Sequence, residues 1–401
     1  MTFAPLEPRL GDRSFFPDLE ARAYLAHAAI SPPSLVARRA VIGLLGDYAR
    51  RGAGAFGVTL EQRERLRGKL GALIGAQPGE VALVPNTSLG VTEVAMGFPF
   101  ERGDRVLCFR GEFPANVTPW QRAAELFGLE LAWVDADLAR TDPTRFFAEV
   151  DAVCARGVRL AAVSAVQFQT GLRMPLRAIS DRVRAVGGLL FVDGIQGCGA
   201  VPLDVDADGI DALAAGGHKW LMGLEGAGML YLRGALSQAM RPHLAGWLSH
   251  QDAFAFLVHG PDLLRYDRPF RADAGLVEGG AFSAVGCAAL EASVDVLAAL
   301  GVENIHRHVN GYLDALEAAL TARGFRSLRG RDAAQRSCIL GVLAPEGDGR
   351  GAPWWSQALA ARGVVTSCPD GVLRFAPHWP NDAAREMGAV TAALDDAEAE
   401  R

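Results

Sequence analysis

Residues 189–220, LLFVDGIQGCGAVPLDVDADGIDALAAGGHKW, predict the fold of this chain. The stretch opens with four apolar residues that end at Asp193, and a glycine lies on either side, which is typical of a buried strand in a parallel sheet. A second apolar run, residues 212–215, leads through a glycine pair to Lys219. Because ligands bind at the carboxyl ends of parallel strands, Asp193 and Lys219 could face one crevice.

An acid and a lysine in one crevice suit a particular cofactor. Pyridoxal phosphate (PLP) is bound by a lysine as a Schiff base, and an acid pairs with its ring nitrogen. The acid keeps the ring protonated, so that the ring can accept electrons, and the lysine moves protons once substrate displaces it. Taken singly, a strand-end aspartate is more often a helix cap or a surface ion pair, and a His-Lys pair is usually solvated.

The combined motifs resemble the class V aminotransferase family, which contains cysteine desulfurases, selenocysteine lyases, kynureninases and isopenicillin N epimerase-like enzymes. The resemblance runs from Tyr24 to Asn381 and is carried by FVDGIQ at 191–196, GHKWLMG at 217–223 and GAGMLY at 226–231. It implies the α/β architecture of PLP-dependent transferases of fold type I. That architecture has a mostly parallel seven-stranded sheet flanked by helices, plus a small C-terminal α+β domain.

The pattern of the chain predicts its division into domains. We expect an N-terminal segment at 1–23, a large PLP-binding domain at 24–285 and a small C-terminal domain at 286–401. Strands and helices alternate from residue 81 onward, which favours a doubly wound parallel sheet. A length of 401 residues fits two domains better than one compact core.

The resemblance implies roles for residues on the central motifs. Lys219 would carry the cofactor, Asp193 would pair with the ring nitrogen, Gln196 would bond the ring hydroxyl, and His218 would lie near the phosphate. These roles follow from the family and not from spacing.

A phosphate site is predicted where an apolar helical pattern begins after Asn86-Thr87-Ser88. Such residues are good N-caps, and a helix N-terminus binds phosphate through its free N–H groups. A plain helix cap is the alternative; the family match favours Thr87 and Ser88 as phosphate ligands. Many members also carry hydroxyl residues at the places of Gly216 and Ala281, and both hydroxyls are missing here.

Three further residues match positions that face the cofactor. Phe113, in GEFPAN at 111–116, matches an aromatic residue that stacks on the PLP ring, although a core phenylalanine before a turn proline is the alternative. Asn116 would point a polar group at the cofactor. Gln167 aligns with an Asn or Gln that faces the cofactor hydroxyl.

Two residues are candidates for substrate binding. Arg374, in LRFAPHWPN at 373–381, resembles the family pattern Arg-x-Ser/Ala-Pro-His-x-x-Asn, and an arginine there can bind an α-carboxylate through two parallel hydrogen bonds. His27 lies in a segment that crosses the mouth of the active site in the family. It could touch substrate or cofactor, or be a structural histidine.

These features predict a PLP-dependent enzyme acting on an amino acid or other amine, with transamination as the first expectation. A C–S or C–Se β-lyase (cysteine desulfurase or selenocysteine lyase-like), a kynureninase-like hydrolase and an epimerase remain open. Desulfuration needs a nucleophilic cysteine on a mobile loop, and Cys368 lies too close before Arg374 to favour it. The missing hydroxyls leave a cofactor-free scaffold protein as an alternative that is not an enzyme.

Composition limits the other possibilities. The net charge is −6 and no long run of Lys or Arg occurs, so we expect no nucleic-acid partner. No run of about 18 apolar residues predicts a membrane span, and the first residues do not resemble a signal peptide. The six cysteines lack metal-like spacing, which predicts inert thiols in a cytoplasmic protein without a metal. The family builds its site across a two-fold interface, so the resemblance implies a homodimer.

Overall fold

Twelve strands form the sheets of the computed structural model, which describes residues 7–347 and 349–400. In chain order they are β1 (Ala23–Tyr24), β2 (Val81–Val84), β3 (Arg105–Arg110), β4 (Glu130–Asp135), β5 (Leu160–Ser164), β6 (Leu189–Asp193), β7 (Ala212–Gly216), β8 (Gly228–Leu232), β9 (Arg326–Ser327), β10 (Leu340–Leu343), β11 (Val364–Val365) and β12 (Leu373–Phe375).

Helices lie between most of these strands. They are α1 (Leu35–Arg51), α2 (Phe56–Leu73), α3 (Thr87–Gly97), α4 (Thr118–Phe127), α5 (Leu138–Thr141), α6 (Pro143–Cys154), α7 (Leu176–Ala185), α8 (Gly234–Ala239), α9 (Ala255–Val258), α10 (Ala284–Leu300), α11 (Val302–Thr321), α12 (Ala352–Ala360) and α13 (Ala383–Ala399).

The large sheet has seven strands in the order β2-β8-β7-β6-β5-β3-β4. Strands β3 to β7 pair in parallel, whereas β8 runs antiparallel to both β7 and β2. The predicted α/β fold with a mostly parallel seven-stranded sheet is therefore confirmed. The antiparallel strand expected at residues 228–233 is also present.

Helices cover both faces of this sheet, which explains its continuous apolar strands. Leu190 and Val192 of β6 pack into one core cluster, and Phe191 between them packs into the other. Successive side chains of a strand point to opposite faces, so a run without polar alternation is stable only where both faces are buried. Asp193 interrupts the run at the carboxyl end of the strand.

The C-terminal part of the chain has its own small sheet, β12-β10-β9, which is antiparallel. Helix α11 buries Ile305, Val309 and Tyr312 along one face, as its periodicity predicts. No single helix in the described part of the chain is long and apolar enough to span a membrane. Only α10 and α11 taken together pass such a criterion, and they are bent by 79° relative to each other.

The N-terminal chain joins the C-terminal part, which no sequence pattern indicated. Strand β1 pairs in parallel with β11, and Ala26 forms a bridge with Ala376, directly after β12. The chain then reaches the lysine turn, where the Ser31 N–H donates to the His218 carbonyl at 2.9 Å. The first segment thus contacts both parts of the protein, and the domain limits at residues 23 and 285 stay predictions.

Candidate active site

The large sheet brings Asp193 and Lys219 together. Asp193 ends β6, which pairs with β7 so that Asp193 lies opposite Ala214. Lys219 follows the end of β7 in a tight turn. Gly217 makes this turn possible, because a Cβ atom there would lie 2.7 Å from the Ala227 carbonyl oxygen. The turn places Lys219 beside Asp193, close enough for each to influence the pKa of the other.

Asp193 is 1% exposed and only half satisfied by hydrogen bonds. Its Oδ1 accepts from the Ile195 N–H at 2.9 Å, whereas its Oδ2 has no hydrogen-bond partner among the residues described. Burial raises the pKa of Asp193 to about 7, and the nearby Glu112 acts in the same direction. A buried carboxylate oxygen without a donor is costly, and such groups are often found where a ligand binds or a reaction takes place.

Lys219 is buried enough to lose part of its charge. Burial lowers the pKa of Lys219 to about 8; Asp193 opposes this shift and Arg374 adds to it. A lysine whose pKa lies close to neutral pH is partly uncharged, and the uncharged amine is an effective nucleophile and proton carrier. The lysine and the unpaired Asp193 Oδ2 therefore fit PLP, whose protonated ring nitrogen would supply the missing donor.

An aromatic side chain borders the lysine. Phe113 is 46% exposed, and the Lys219 Nζ lies 5.7 Å from its ring centroid. The edge of Phe168 supports this ring at 5.3 Å between centroids. An exposed ring held in place beside a reactive lysine offers a flat apolar surface for a conjugated ligand.

The predicted phosphate site is the N-terminus of α3, beside the end of β7. Asn86 caps the helix, since its side chain accepts from the Leu89 N–H at 2.8 Å. The Thr87 hydroxyl accepts from the Gly216 N–H at 2.9 Å, and Ser88 is exposed. The N–H groups of Thr87 and Ser88 have no acceptor in the described part of the chain, so they are available to an anion.

His218 packs close to Gly216, where the family often has a hydroxyl residue. A Cβ atom at Gly216 would lie 3.2 Å from the His218 Nδ1 and 3.2 Å from the Ile195 side chain. The imidazole and the Ile195 side chain would therefore have to shift slightly to admit a Ser or Thr. Burial lowers the pKa of His218, so its ring favours the neutral form.

Arg374 is a buried cation without an acidic partner. It is 5% exposed; its Nε donates to the Ser367 Oγ at 2.9 Å and its Nη1 to the Phe168 carbonyl at 2.6 Å. No carboxylate pairs with it within residues 7–347 and 349–400. Burial lowers the pKa of Arg374 to about 10, and the neighbouring Cys368 partly offsets this. Because Arg374 also affects Lys219, both cations face the same region.

Cys368 is half-buried and lies between β11 and β12. It precedes a short 3-10 turn at Pro369–Gly371, in which Asp370 has a φ of 47°. The side chain of Asp370 accepts from the Gln169 Nε2 at 3.2 Å, which ties this turn to the large sheet. The cysteine therefore lies near the arginine of the site, although the sequence did not favour it as a nucleophile.

Three predicted contacts of the cofactor, Gln167, Gln196 and Asn116, are engaged by protein groups. Gln167 donates from its Nε2 to Glu112 at 3.0 Å. Gln196 donates from its Nε2 to the Ala28 carbonyl at 3.0 Å and accepts from the Trp220 Nε1 at 2.7 Å. Asn116 accepts from the Trp120 Nε1 at 3.1 Å and donates to another side chain. Each amide retains one further N–H, so their contacts with the cofactor stay predictions.

His27 is linked to the turn that carries Lys219 through the Ser31 hydroxyl. Its Nδ1 lies 2.8 Å from the Ser31 Oγ, and that hydroxyl donates to the Lys219 carbonyl at 2.6 Å. The ring is 1% exposed and packs edge-on against His378. Burial lowers the pKa of His27 well below its usual value. A structural contact is therefore present, and a contact with substrate stays a prediction.

Glu112 is a member of the site that the sequence reasoning missed. It accepts hydrogen bonds from the Ser164 N–H at 2.7 Å, the Ser164 Oγ, the Gln167 Nε2 at 3.0 Å and the Asn116 Nδ2 at 3.2 Å. Its only sequence signal was its place one residue before Phe113 at the end of a buried strand. Buried acids at strand ends are rare enough to be examined as site residues.

Comparison with known proteins agrees with this geometry. Residues 45–350 match the model of the family described as Aminotransferase class-V. The uncharacterized aminotransferase YcbU of Bacillus subtilis (strain 168) is 27% identical over 370 residues, which cover 92% of this chain and 93% of that protein. A probable cysteine desulfurase of Methanothermobacter thermautotrophicus is 29% identical over 315 residues, or 77% and 75% of the two chains.

Solved structures show the same fold. The apo structure of a cysteine desulfurase from Thermococcus onnurineus NA1 superimposes with a TM-score of 0.85 at 20% identity, over 99% of this chain and 100% of that one. With a family match over most of its length and this fold, the chain belongs to the class V aminotransferase family of PLP-dependent enzymes.

Proposed function

We propose that this protein is a PLP-dependent aminotransferase acting on an α-amino acid. One observation carries the proposal: the Asp193 carboxylate, with its unpaired Oδ2, and the buried cation of Arg374 both lie close enough to Lys219 to affect its pKa. Asp193 would hold the ring nitrogen and Lys219 would bind the cofactor. Thr87 and Ser88, with His218 beside them, would hold the phosphate at the start of α3.

When bound, PLP supplies an electron sink for the carbanion formed at the Cα of the substrate. Arg374 would orient the α-carboxylate through two parallel hydrogen bonds. Lys219, half neutral near pH 8, would take the proton from the substrate Cα and return it at another atom. Phe113 would cover one side of the site and exclude water from it.

The chain offers a clean test, because it contains only two lysines, Lys69 and Lys219. We expect purified protein to show a visible absorption band with added PLP, and Lys219→Ala to lose it. Lys69→Arg is the control, since Lys69 pairs with Glu291 and Asp295 on α10. A colourless protein that takes up no PLP would support the cofactor-free scaffold instead.

Transamination itself is tested on the loaded protein. With a pool of amino acids and no keto acid, an aminotransferase converts its cofactor to the pyridoxamine form and stops, because the amino group remains on the cofactor. Conversion that is reversed by keto acids supports the proposal. Continuous release of sulfide, alanine or anthranilate without that conversion would contradict it.

A C–S or C–Se lyase is the second candidate, favoured by Cys368. The thiol lies beside Arg374, which would hold the substrate carboxylate, and a relative that matches 77% of this chain is named as a probable cysteine desulfurase. Transfer of the substrate sulfur to Cys368 would release alanine and leave a persulfide, from which an added thiol reductant frees sulfide. Alanine and sulfide formation from cysteine that disappears in Cys368→Ser but not in Cys154→Ser would establish this activity. Cys154 is a buried thiol on α6 and serves as the matched control.

We also propose that the protein is a homodimer in a reducing compartment such as the cytoplasm. Residues 244–270 expose several large apolar side chains, and clustered exposed apolar groups often mark a protein–protein interface. These residues line a groove of about 630 Å³. All six cysteines are unpaired thiols, which suits a reducing environment.

A further inference from the structure

Glu112 has an unusual environment for a buried acid. It is 9% exposed, and its two carboxylate oxygens accept four hydrogen bonds from Ser164, Gln167 and Asn116. An ionised carboxylate offers about four acceptor positions, so this set of donors fills it completely. No arginine or lysine forms an ion pair with it anywhere in the described ranges. The charge is therefore stabilised by neutral donors and not cancelled by a cation.

Ser164 links Glu112 to Asp193. Ser164, whose N–H and hydroxyl both bond Glu112, is paired with Asp193 across β5 and β6. The next residue, Ala165, donates its N–H to the Asp193 carbonyl at 2.9 Å. Glu112 follows β3 and Asp193 ends β6, with β5 between these two strands, and the two acids are near enough for Glu112 to raise the pKa of Asp193. Two such carboxyl groups out of solvent cannot both be ionised cheaply.

The hydrogen bonds decide which of the two acids carries the charge. Glu112 receives four donors, whereas Asp193 receives one and keeps Oδ2 unpaired. Burial raises the pKa of both acids. The bonds from Ser164, Gln167 and Asn116 oppose this rise at Glu112, whereas at Asp193 only the Ile195 N–H and the nearby Lys219 oppose it. The other titratable groups facing the pair are Lys219 beside Asp193, and the thiols of Cys108 beside Glu112 and Cys198 beside Asp193.

We propose that Glu112 is a positioning residue of this site, which orients the amides of Asn116 and Gln167 and places a fixed negative charge behind Asp193. The inference rests on the proposed PLP function, which it deepens. Because a carboxylate only accepts, both amides must turn their nitrogens toward Glu112. The negative charge of Glu112 favours a proton at the Asp193 Oδ2, and the ring nitrogen of the cofactor would share that proton with Asp193.

Glu112→Gln tests the charge while nearly preserving the side-chain size. Removing a negative charge lowers the proton affinity of every group around it, so the visible band of the PLP-loaded variant should change form at a pH lower by about one unit or more. Glu386→Gln is the matched control, since Glu386 is 6% exposed and bonds Tyr312 and Asn381 in the C-terminal part. It should leave the midpoint unchanged.

A second measurement needs no cofactor. The infrared band of the protonated Asp193 carboxyl, identified by its loss in Asp193→Asn, should titrate near pH 7 in the wild type and lower in Glu112→Gln. If Glu112→Gln does not fold, Ser164→Ala removes one donor, weakens the charge on Glu112 and should shift the band in the same direction by less.

The outcomes separate this inference from the proposed function. A wild type that takes up no PLP refutes the function, while the infrared titration still tests the coupling between Glu112 and Asp193. Equal midpoints in the wild type and in a folded Glu112→Gln or Ser164→Ala overturn the inference. A lower infrared midpoint with an unchanged visible transition also overturns it, because the charge would then not act on the cofactor.

Discussion

Arg374 shows how a single residue can be costly to the fold and useful to the site. Its guanidinium is buried, its pKa is lowered to about 10 by that burial, and its described partners are a hydroxyl and a carbonyl. A cation in such surroundings is poorly compensated. An incoming carboxylate would supply the missing charge, which makes Arg374 a strong anchor for an α-amino acid.

We therefore expect Arg374→Leu to raise the KM for the amino acid by about 100-fold or more, since two charge-assisted hydrogen bonds contribute about 3 kcal/mol. Steady-state kinetics or spectral titration of the loaded protein measures this. The corresponding amine without a carboxylate is the control, and its binding should be similar in the wild type and the variant. An equal loss for both ligands would show that Arg374 does not bind the carboxylate.

The pKa of Lys219 predicts a pH dependence of cofactor capture. Only the neutral amine attacks an aldehyde, and burial lowers the pKa of this amine from 10.5 to about 8. In cofactor-free Lys69→Arg protein, the rate at which the visible band forms should rise with pH and reach half its maximum near pH 8. Asp193→Asn should move this midpoint lower, because Asp193 favours the charged lysine. A midpoint near 10 would contradict the observed burial.

Among the elements, α3 and β7 act as one unit. The Thr87 hydroxyl at the first turn of α3 accepts from the Gly216 N–H at the end of β7, so the helix N-terminus is fixed relative to the lysine turn.

For Thr87→Val we expect two losses. The buried Gly216 N–H would lose its acceptor, which should lower the free energy of unfolding by about 1–3 kcal/mol. PLP should bind about tenfold more weakly, because the phosphate loses a hydroxyl and a fixed helix terminus. Denaturant unfolding and titration of the visible band measure the two effects. Thr87→Ser keeps the hydroxyl and should restore both; a loss of stability with unchanged PLP affinity would leave Thr87 only as the acceptor for the Gly216 N–H.

At the scale of the whole molecule, the N-terminal chain connects the region of Arg374 with the region of Lys219. It pairs with β11, bridges to the residue after β12 and then bonds the lysine turn through Ser31. Arg374 and Lys219 come from distant parts of the chain, and this segment touches the backbone beside each. A movement of the C-terminal part would therefore displace the N-terminal chain and, through it, the turn that carries Lys219.

The exposed apolar segment at 244–270 predicts the assembly. Tyr266 is 91% exposed and Leu264 60%, and both line the same groove. If this surface is the subunit interface, Leu264→Asp combined with Tyr266→Asp should convert a dimer to a monomer, as measured by light scattering after gel filtration. Val186→Asp, at an exposed apolar residue after α7, is the control and should keep the dimer mass. A monomeric wild type would refute the dimer.

The sequence predicted the parts of the fold that have a local pattern. Buried parallel strands such as β6 and β7 are continuous apolar runs, and the residues at their ends follow from where the runs stop. Short strands have no such pattern, so the pairing of β1 with β11 could not be foreseen from two residues. The structure also engages Gln196 and Asn116 with protein partners that are distant in sequence or were not considered.

By itself the sequence determined the doubly wound sheet, the acid and the lysine at its carboxyl edge, and the family, because each follows from residues that are close together in the chain. Only the tertiary structure decided the electrostatics of the site. The four hydrogen bonds on Glu112, the unpaired Oδ2 of Asp193 and the buried charge of Arg374 depend on which groups meet across strands and how much water is excluded. Those quantities arise from packing between distant segments, which no local pattern specifies.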